Sequence, residues 1–280
     1  MRLGRFLAGL FVPHSLVLLR WDHLSRRMRA ERERARAAVE AMPAPLPAAG
    51  GAGAFDRREA VDYLVSLGLD RTQVEEGSID AESLAFCGSF LAGLPAHEPV
   101  RGLHIGNFVG VSLAYFSHAA RAIHPDSRMV SIDPNIPHRG IESPQTFVIS
   151  LLEHLGLAGA NLVLTGYSLE KGISNDGLVF AGYDPVSAHG GERSLTHQLE
   201  GLWRLGAGPF DFAVVDGNHD PEYLRREIGW IERLLKAGGL VFLDDVSDRW
   251  PDLVELFESL PEARLRKAGH NGRVGVLRRE

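Results

Sequence analysis

Asp216, His219, Asp244 and Asp245 fall within one stretch, DFAVVDGNHDPEYLRREIGWIERLLKAGGLVFLDD, over residues 211–245. It reads as an apolar strand ending in Asp216, a helical segment, and a second apolar strand ending in Asp244-Asp245. As neighbours in a parallel sheet, the two strands would bring three carboxylates and an imidazole to one edge. Carboxylate oxygens suit a hard divalent cation such as Mg²⁺. An imidazole beside them titrates near working pH and suits a general base. The same residues admit a plainer use: Asp244-Asp245 as the cap of a following helix, Asp216 as a strand end, His219 as a loop tie.

The elements that must hold these groups follow from periodicity. From Val100 onward, short apolar runs alternate with helical patterns. Strands are expected at 101–105, 128–133, 161–165, 211–216 and 239–244, and helices near 110–123, 143–157, 194–206, 220–236 and 249–260. Ser143-Pro144 and Asp220-Pro221 each pair an N-cap residue with proline at the first helical position. The alternation predicts βαβ units and an α/β, doubly wound, mostly parallel sheet. Near the end, Asn271-Gly272 between two strand-like runs predicts an antiparallel hairpin.

Upstream, Asp56 with Glu59 makes a capping-box start for a helix ending near Gly68. A second helix is expected from Asp80 to before Pro95. Residues 55–99 thus read as a helical cap in front of the main domain, 100–280. MPAPLPAAGGAGA, residues 42–54, is a Pro/Gly/Ala linker. Residues 1–41 read as a basic helical arm, an N-terminal helical extension. Its apolar part, Leu7–Leu19, is too short to span a bilayer, and no small-residue cleavage site follows it.

Charge divides along the same boundary. Residues 1–36 carry nine arginines against Asp22, Glu31 and Glu33, a net +6, while the whole chain of 280 residues carries −6. The rest is therefore acidic at −12 and would repel a phosphate backbone, which sets nucleic acid aside. The arm suits packing on its own domain, on a second copy in a homo-oligomer, or on an anionic membrane surface through residues 1–40. Cys87 is the only cysteine, which excludes an intramolecular disulfide and fits a reducing, cytoplasmic setting. Lysines number three, Lys171, Lys236 and Lys267, so a lysine base has few candidates. The segment 169–208 is long for a connection and reads as a substrate-covering loop carrying Asp184, His189, His197 and Trp203.

The first βα turn, LHIGNFVGVSLAYF, has Gly106 and Gly110 where backbone can approach a ligand at a helix N-terminus. Phe108 occupies the central glycine position of G-x-G-x-x-G, which counts against a dinucleotide pyrophosphate. The second strand ends SIDPN, placing Asp133 where an acid can accept ribose hydroxyls. Together with the terminal hairpin, the motifs LHIGNFVGVS, VSIDPN, FDFAVVDGNHDPEYLRREI and LKAGGLVFLDD make residues 100–280 resemble class I S-adenosylmethionine-dependent methyltransferases. The third and fourth motifs most resemble the metal-dependent small-molecule O-methyltransferases of the macrolide-sugar and catechol types. Such a fold is a seven-stranded, Rossmann-like sheet.

The resemblance implies S-adenosylmethionine bound by His104, Gly106, Asn107, Gly110, Ser112, Asp133, Tyr167 and Ser168. It also implies Mg²⁺ or another divalent cation held by Asp216, Asp244 and Asp245, with His219 as base. The expected reaction is methyl transfer to a hydroxyl of a small molecule, a sugar or natural product. Two positions depart from the family pattern: His104 stands where an acid usually opens the first motif, and Tyr167 where many relatives have an adenine-binding acid. The competing readings are a nicotinamide-dependent oxidoreductase and a non-catalytic methyltransferase-like binding module.

Overall fold

A computed structural model of the chain describes residues 54–169, 198–261 and 264–280. The basic arm, nearly all of the linker, and Asp184, His189 and His197 of the long connection lie outside the described residues.

β4 (Phe210–Val215) is buried at every position, as a central strand covered on both faces must be. It pairs in parallel with β1 (Arg101–Ile105) on one side and β5 (Leu235–Leu243) on the other. Beyond β1 lie β2 (Arg128–Asp133) and β3 (Asn161–Thr165), both parallel. On the far side β7 (Gly275–Arg279) runs antiparallel between β5 and β6 (Leu265–His270). The seven-stranded order is β3-β2-β1-β4-β5-β7-β6, so the expected mostly parallel sheet with a terminal hairpin is present. The Asn271-Gly272 turn is wider than a two-residue loop. The Asn271 side chain closes it by accepting from the amides of Arg273 (3.1 Å) and Val274 (2.7 Å).

Side chains alternate between two cores. Phe212 and Val214 of β4 join Phe242 and Val276 beneath α1 (Arg57–Ser66), α2 (Arg71–Glu76), α3 (Ala81–Leu91), α4 (Val111–Ile123) and α5 (Pro144–His154). Ala213 and Val215 join Ile105 and Leu243 on the other face, under α6 (Gln198–Arg204), α7 (Pro221–Leu234) and α8 (Pro251–Ser259). α1 and α3 begin where their caps predict: Asp56 accepts from Arg58 N–H and Asp80 from Ser83 N–H, each at 2.8 Å. α2 was not expected; Asp70 caps it by accepting from Gln73 N–H at 3.0 Å.

Other boundaries shift for local reasons. β5 starts at Leu235 rather than 239 because Gly238, at φ +77°, lets the chain turn extended and resume pairing after a register shift. Pro144 opens α5, but Ser143 does not cap it. Instead Asn135 reaches across and accepts from Gln145 N–H at 2.9 Å, while Ser143 Oγ donates to Asn135. No helix among the described residues is long and apolar enough to cross a membrane.

Candidate active site

The carboxyl ends of β1, β2, β3 and β4 open onto a cleft. Ile105, Phe108, Ile132, Pro134, Ile136 and Pro144 give it apolar walls, and Asp133, Ser168, Asp216 and Glu227 give it polar points. Its floor depends on Gly106. At φ +83°, a Cβ there would sit 1.9 Å from the carbonyl oxygen of Asp216. Only glycine therefore lets the β1 turn lie against the end of β4, where Asp216 N–H donates to the Ile105 carbonyl at 2.8 Å.

Asp133 is held by backbone donors. Its two oxygens accept from Asn107 N–H at 2.7 Å and Asn135 N–H at 2.6 Å. Burial nevertheless raises its pKa. A carboxylate has further lone pairs for ligand hydroxyls. Tyr167 also lines the cleft, and burial raises its phenol pKa.

Four residues expected to bind the cofactor, His104, Asn107, Gly110 and Ser112, are buried. His104 faces the first core, edge-on to Phe116 at 6.0 Å, and is fully buried. Burial pushes its pKa down to about 3, so the ring is neutral. The strand alternation that sends Ile105 to the cleft sends His104 away from it. Gly110 is the left-handed N-cap of α4, and a Cβ there would lie 3.1 Å from Val148 Cα. Its smallness brings α4 and α5 together. Ser112 is buried within the first turn of α4. Asn107 acts through its backbone bond to Asp133, and its side-chain amide donates to Ser131 at 3.2 Å.

Asp216, Asp244 and Asp245 converge as expected: one oxygen from each lies within 4.8 Å of the other two. Neither Asp244 nor Asp245 caps α8, whose N-cap is Trp250. Burial and the two neighbouring carboxylates push Asp216 well above the usual carboxylate range. Burial also raises Asp244, with Asp245 adding to the effect, although Arg273 opposes it. Burial works against ionisation of Asp245 as well, but contact with His219 and the nearby Arg273 hold its pKa low. Asp245 adopts φ +58°, an uncommon conformation for a non-glycine residue that turns the chain where the carboxylates meet.

His219 Nε2 lies 3.0 Å from Asp245 Oδ2, and its ring stands 4.3 Å from that of Trp250. No described lysine offers an alternative base here. Lys236 pairs with Asp211 at 2.7 Å and Lys267 with Glu258 at 3.1 Å.

Two charged residues at this edge were not read from the sequence. Arg273, in the β6–β7 turn, forks onto Asp244 with two 3.0 Å bonds and reaches Asp80 at 3.2 Å. Nothing local marks it, because its partners come from distant segments. Glu227 sits on α7 between the buried Tyr223-Leu224 pair and Ile228, and is 1% exposed. Its signal was legible: a carboxyl inside an otherwise apolar helical stripe. Burial pushes it up to about 7, against a hydrogen bond from Ser168.

A family model described as a methyltransferase domain matches residues 103–246. The doubly wound sheet with its antiparallel end defines a Rossmann-like α/β fold; the match is more specific, and the chain belongs to that methyltransferase family. A search of curated proteins finds no match. Among solved structures, the chain is similar to a methyltransferase, PaMTH1, from Podospora anserina bound to S-adenosylhomocysteine (14% identity, 90% of this chain and 96% of that chain, TM-score 0.50). It is also similar to the O-methyltransferase TomG of Streptomyces achromogenes in complex with S-adenosylmethionine (19%, 79% and 86%, TM-score 0.49). A third is an O-methyltransferase from Bacillus cereus (17%, 80% and 90%, TM-score 0.49). The expected class I S-adenosylmethionine-dependent methyltransferase is thus the enzyme that family and fold define, and the oxidoreductase reading falls.

Proposed function

We propose that the protein transfers the methyl group of S-adenosylmethionine to a hydroxyl of a small molecule, a sugar or natural product, with a divalent cation at the Asp216–Asp244–Asp245 cluster. The carrying observation is the convergence of these three carboxylates beside the cleft, with His219 in contact with one of them.

The donor set fits such a cation. Oxygen is the ligand that Mg²⁺ prefers, and with all three carboxylates ionised around a cation, the guanidinium in contact with Asp244 would offset one of the three negative charges. The two charges left match a divalent ion. Bound there, it would orient an acceptor hydroxyl and lower its pKa. S-adenosylmethionine supplies a methyl group already activated on a sulfonium. Asp133 accepts its ribose hydroxyls, and the apolar walls exclude water from the base and from the transfer.

His219 takes the acceptor proton. Asp245 holds its imidazole by Nε2 and stabilises the charge it acquires, while Trp250 fixes the plane of the ring. Held in this way, base, acceptor and donor would share one alignment, and such alignment supplies much of the rate gain in group transfer.

An acceptor screen with methyl-labelled cofactor, run with and without EDTA, tests this reading. Labelled product is expected from a hydroxylated small molecule, lost with EDTA and restored by Mg²⁺. Turnover indifferent to EDTA would remove the metal, and label on nitrogen or carbon would remove the hydroxyl.

A further inference from the structure

The side chain of Glu227 forms part of the cleft wall, and among the described residues only one of its two oxygens finds a hydrogen-bond partner. One oxygen, Oε1, accepts from Ser168 Oγ. Ser168 Oγ lies 3.1 Å from Tyr223 Oη, which also accepts from Leu169 N–H at 3.2 Å. The other oxygen, Oε2, is buried and meets no hydrogen-bond partner among the described residues. An unpaired buried carboxyl oxygen carries a desolvation cost that a donor in the cleft would relieve. The Ser168–Tyr223 pair fixes the carboxyl in place, so the cost is built in rather than relaxed away.

Position along the cleft indicates which donor. Glu227 is tied to Ser168, which follows β3, the edge strand beside β2. Asp133, at the end of β2, is the acceptor suited to ribose hydroxyls. A nucleoside anchored there can direct its base past Ile132, Pro134, Ile136 and Pro144 toward the β3 end. The segment after β3, Gly166-Tyr167-Ser168, contains no acid. Beyond the ribose hydroxyls, the adenosyl group has one hydrogen-bond donor, the exocyclic amino group of adenine.

Resting on the reading that the methyl donor fills this cleft, we propose that Glu227 recognises the amino group of the cofactor's adenine, with Ser168 and Tyr223 holding its carboxyl in position. The acid that selects the base therefore comes from α7, on the far core of the sheet, rather than from the segment after β3.

Calorimetric titration of the full chain and its Glu227→Ala and Glu227→Gln variants tests the assignment. The ligands are S-adenosylhomocysteine, its analogue with hydrogen in place of the adenine amino group, and methylthioadenosine, which lacks the amino-acid portion. Removing the amino group should weaken binding to the wild type about tenfold or more, and should cost Glu227→Ala little. Glu227→Gln, nearly isosteric, serves where alanine impairs folding, and should show a reduced penalty. An equal penalty in wild type and variants overturns the proposal. So does a variant that loses affinity for S-adenosylhomocysteine but not for methylthioadenosine, since the partner would then be the α-ammonium group. No binding of S-adenosylhomocysteine by the wild type would remove the cofactor reading itself and the proposal with it.

Discussion

His219 and Asp245 act as one unit in the proposed reaction, the carboxylate holding the ring that receives the proton. Replacing His219 with alanine removes the base but leaves Asp216, Asp244 and Asp245 in place. Turnover should fall by about two orders of magnitude or more, the usual contribution of a positioned general base. Divalent-ion binding, measured by Mn²⁺ titration, should stay within a few-fold of wild type. Wild-type turnover in His219→Ala would take the residue out of the base role. At this scale the sequence was informative wherever a residue ends a strand at the ligand edge, as Asp133 and Asp216 do. It misled at His104, because motif position alone does not say which face of a strand a side chain occupies.

Between elements, the β6–β7 turn is fastened to both the helical segment before β1 and the carboxylate cluster. Arg273 joins Asp244 to Asp80, the N-cap of α3, and Asn271 Nδ2 donates to Ser83 Oγ at 3.2 Å. Asp244 is buried, so removing its guanidinium partner leaves an uncompensated charge. Arg273→Met should lower unfolding stability by about 3 kcal/mol in EDTA, the order expected for breaking a buried ion pair. A divalent cation should restore more stability to the variant than it adds to wild type, since it supplies the missing positive charge. Chemical denaturation with EDTA and with Mg²⁺ reads both effects. An unchanged midpoint in EDTA would show that the pair carries no weight. No sequence pattern announces this contact, because residues 80, 244 and 273 meet only once the sheet is assembled.

Across the whole molecule, burying an acid in the cleft wall links stability to pH. Burial moves Glu227 from its ordinary 4.5 to about 7, outweighing the Ser168 bond and nearby His219 that oppose the shift. The folded state therefore holds this proton more tightly than the unfolded state. Stability from this group falls as pH rises through that window and levels off above it. Asp216 and Asp244 shift in the same sense and Asp245 in the opposite one, so the comparison with Glu227→Gln isolates the contribution. Denaturation from about pH 5 to about pH 8 should show wild type losing stability relative to that variant. Parallel curves would place the titration of Glu227 outside this range.

The sequence by itself determined the alternation of strands and helices, the terminal hairpin, and the carboxylates and imidazole at the strand ends. Each is written in local periodicity, in turn residues, or in an acid closing an apolar run, and burial on two sheet faces enforces all three. The tertiary structure decided the rest. It placed β7 between β5 and β6, turned His104 into the core, gave Asp244 an arginine from a distant turn, and buried one oxygen of Glu227 with no hydrogen-bond partner among the described residues. These outcomes depend on which segments meet across the sheet. A chain read one window at a time carries the alternation of faces but not the identity of the neighbour.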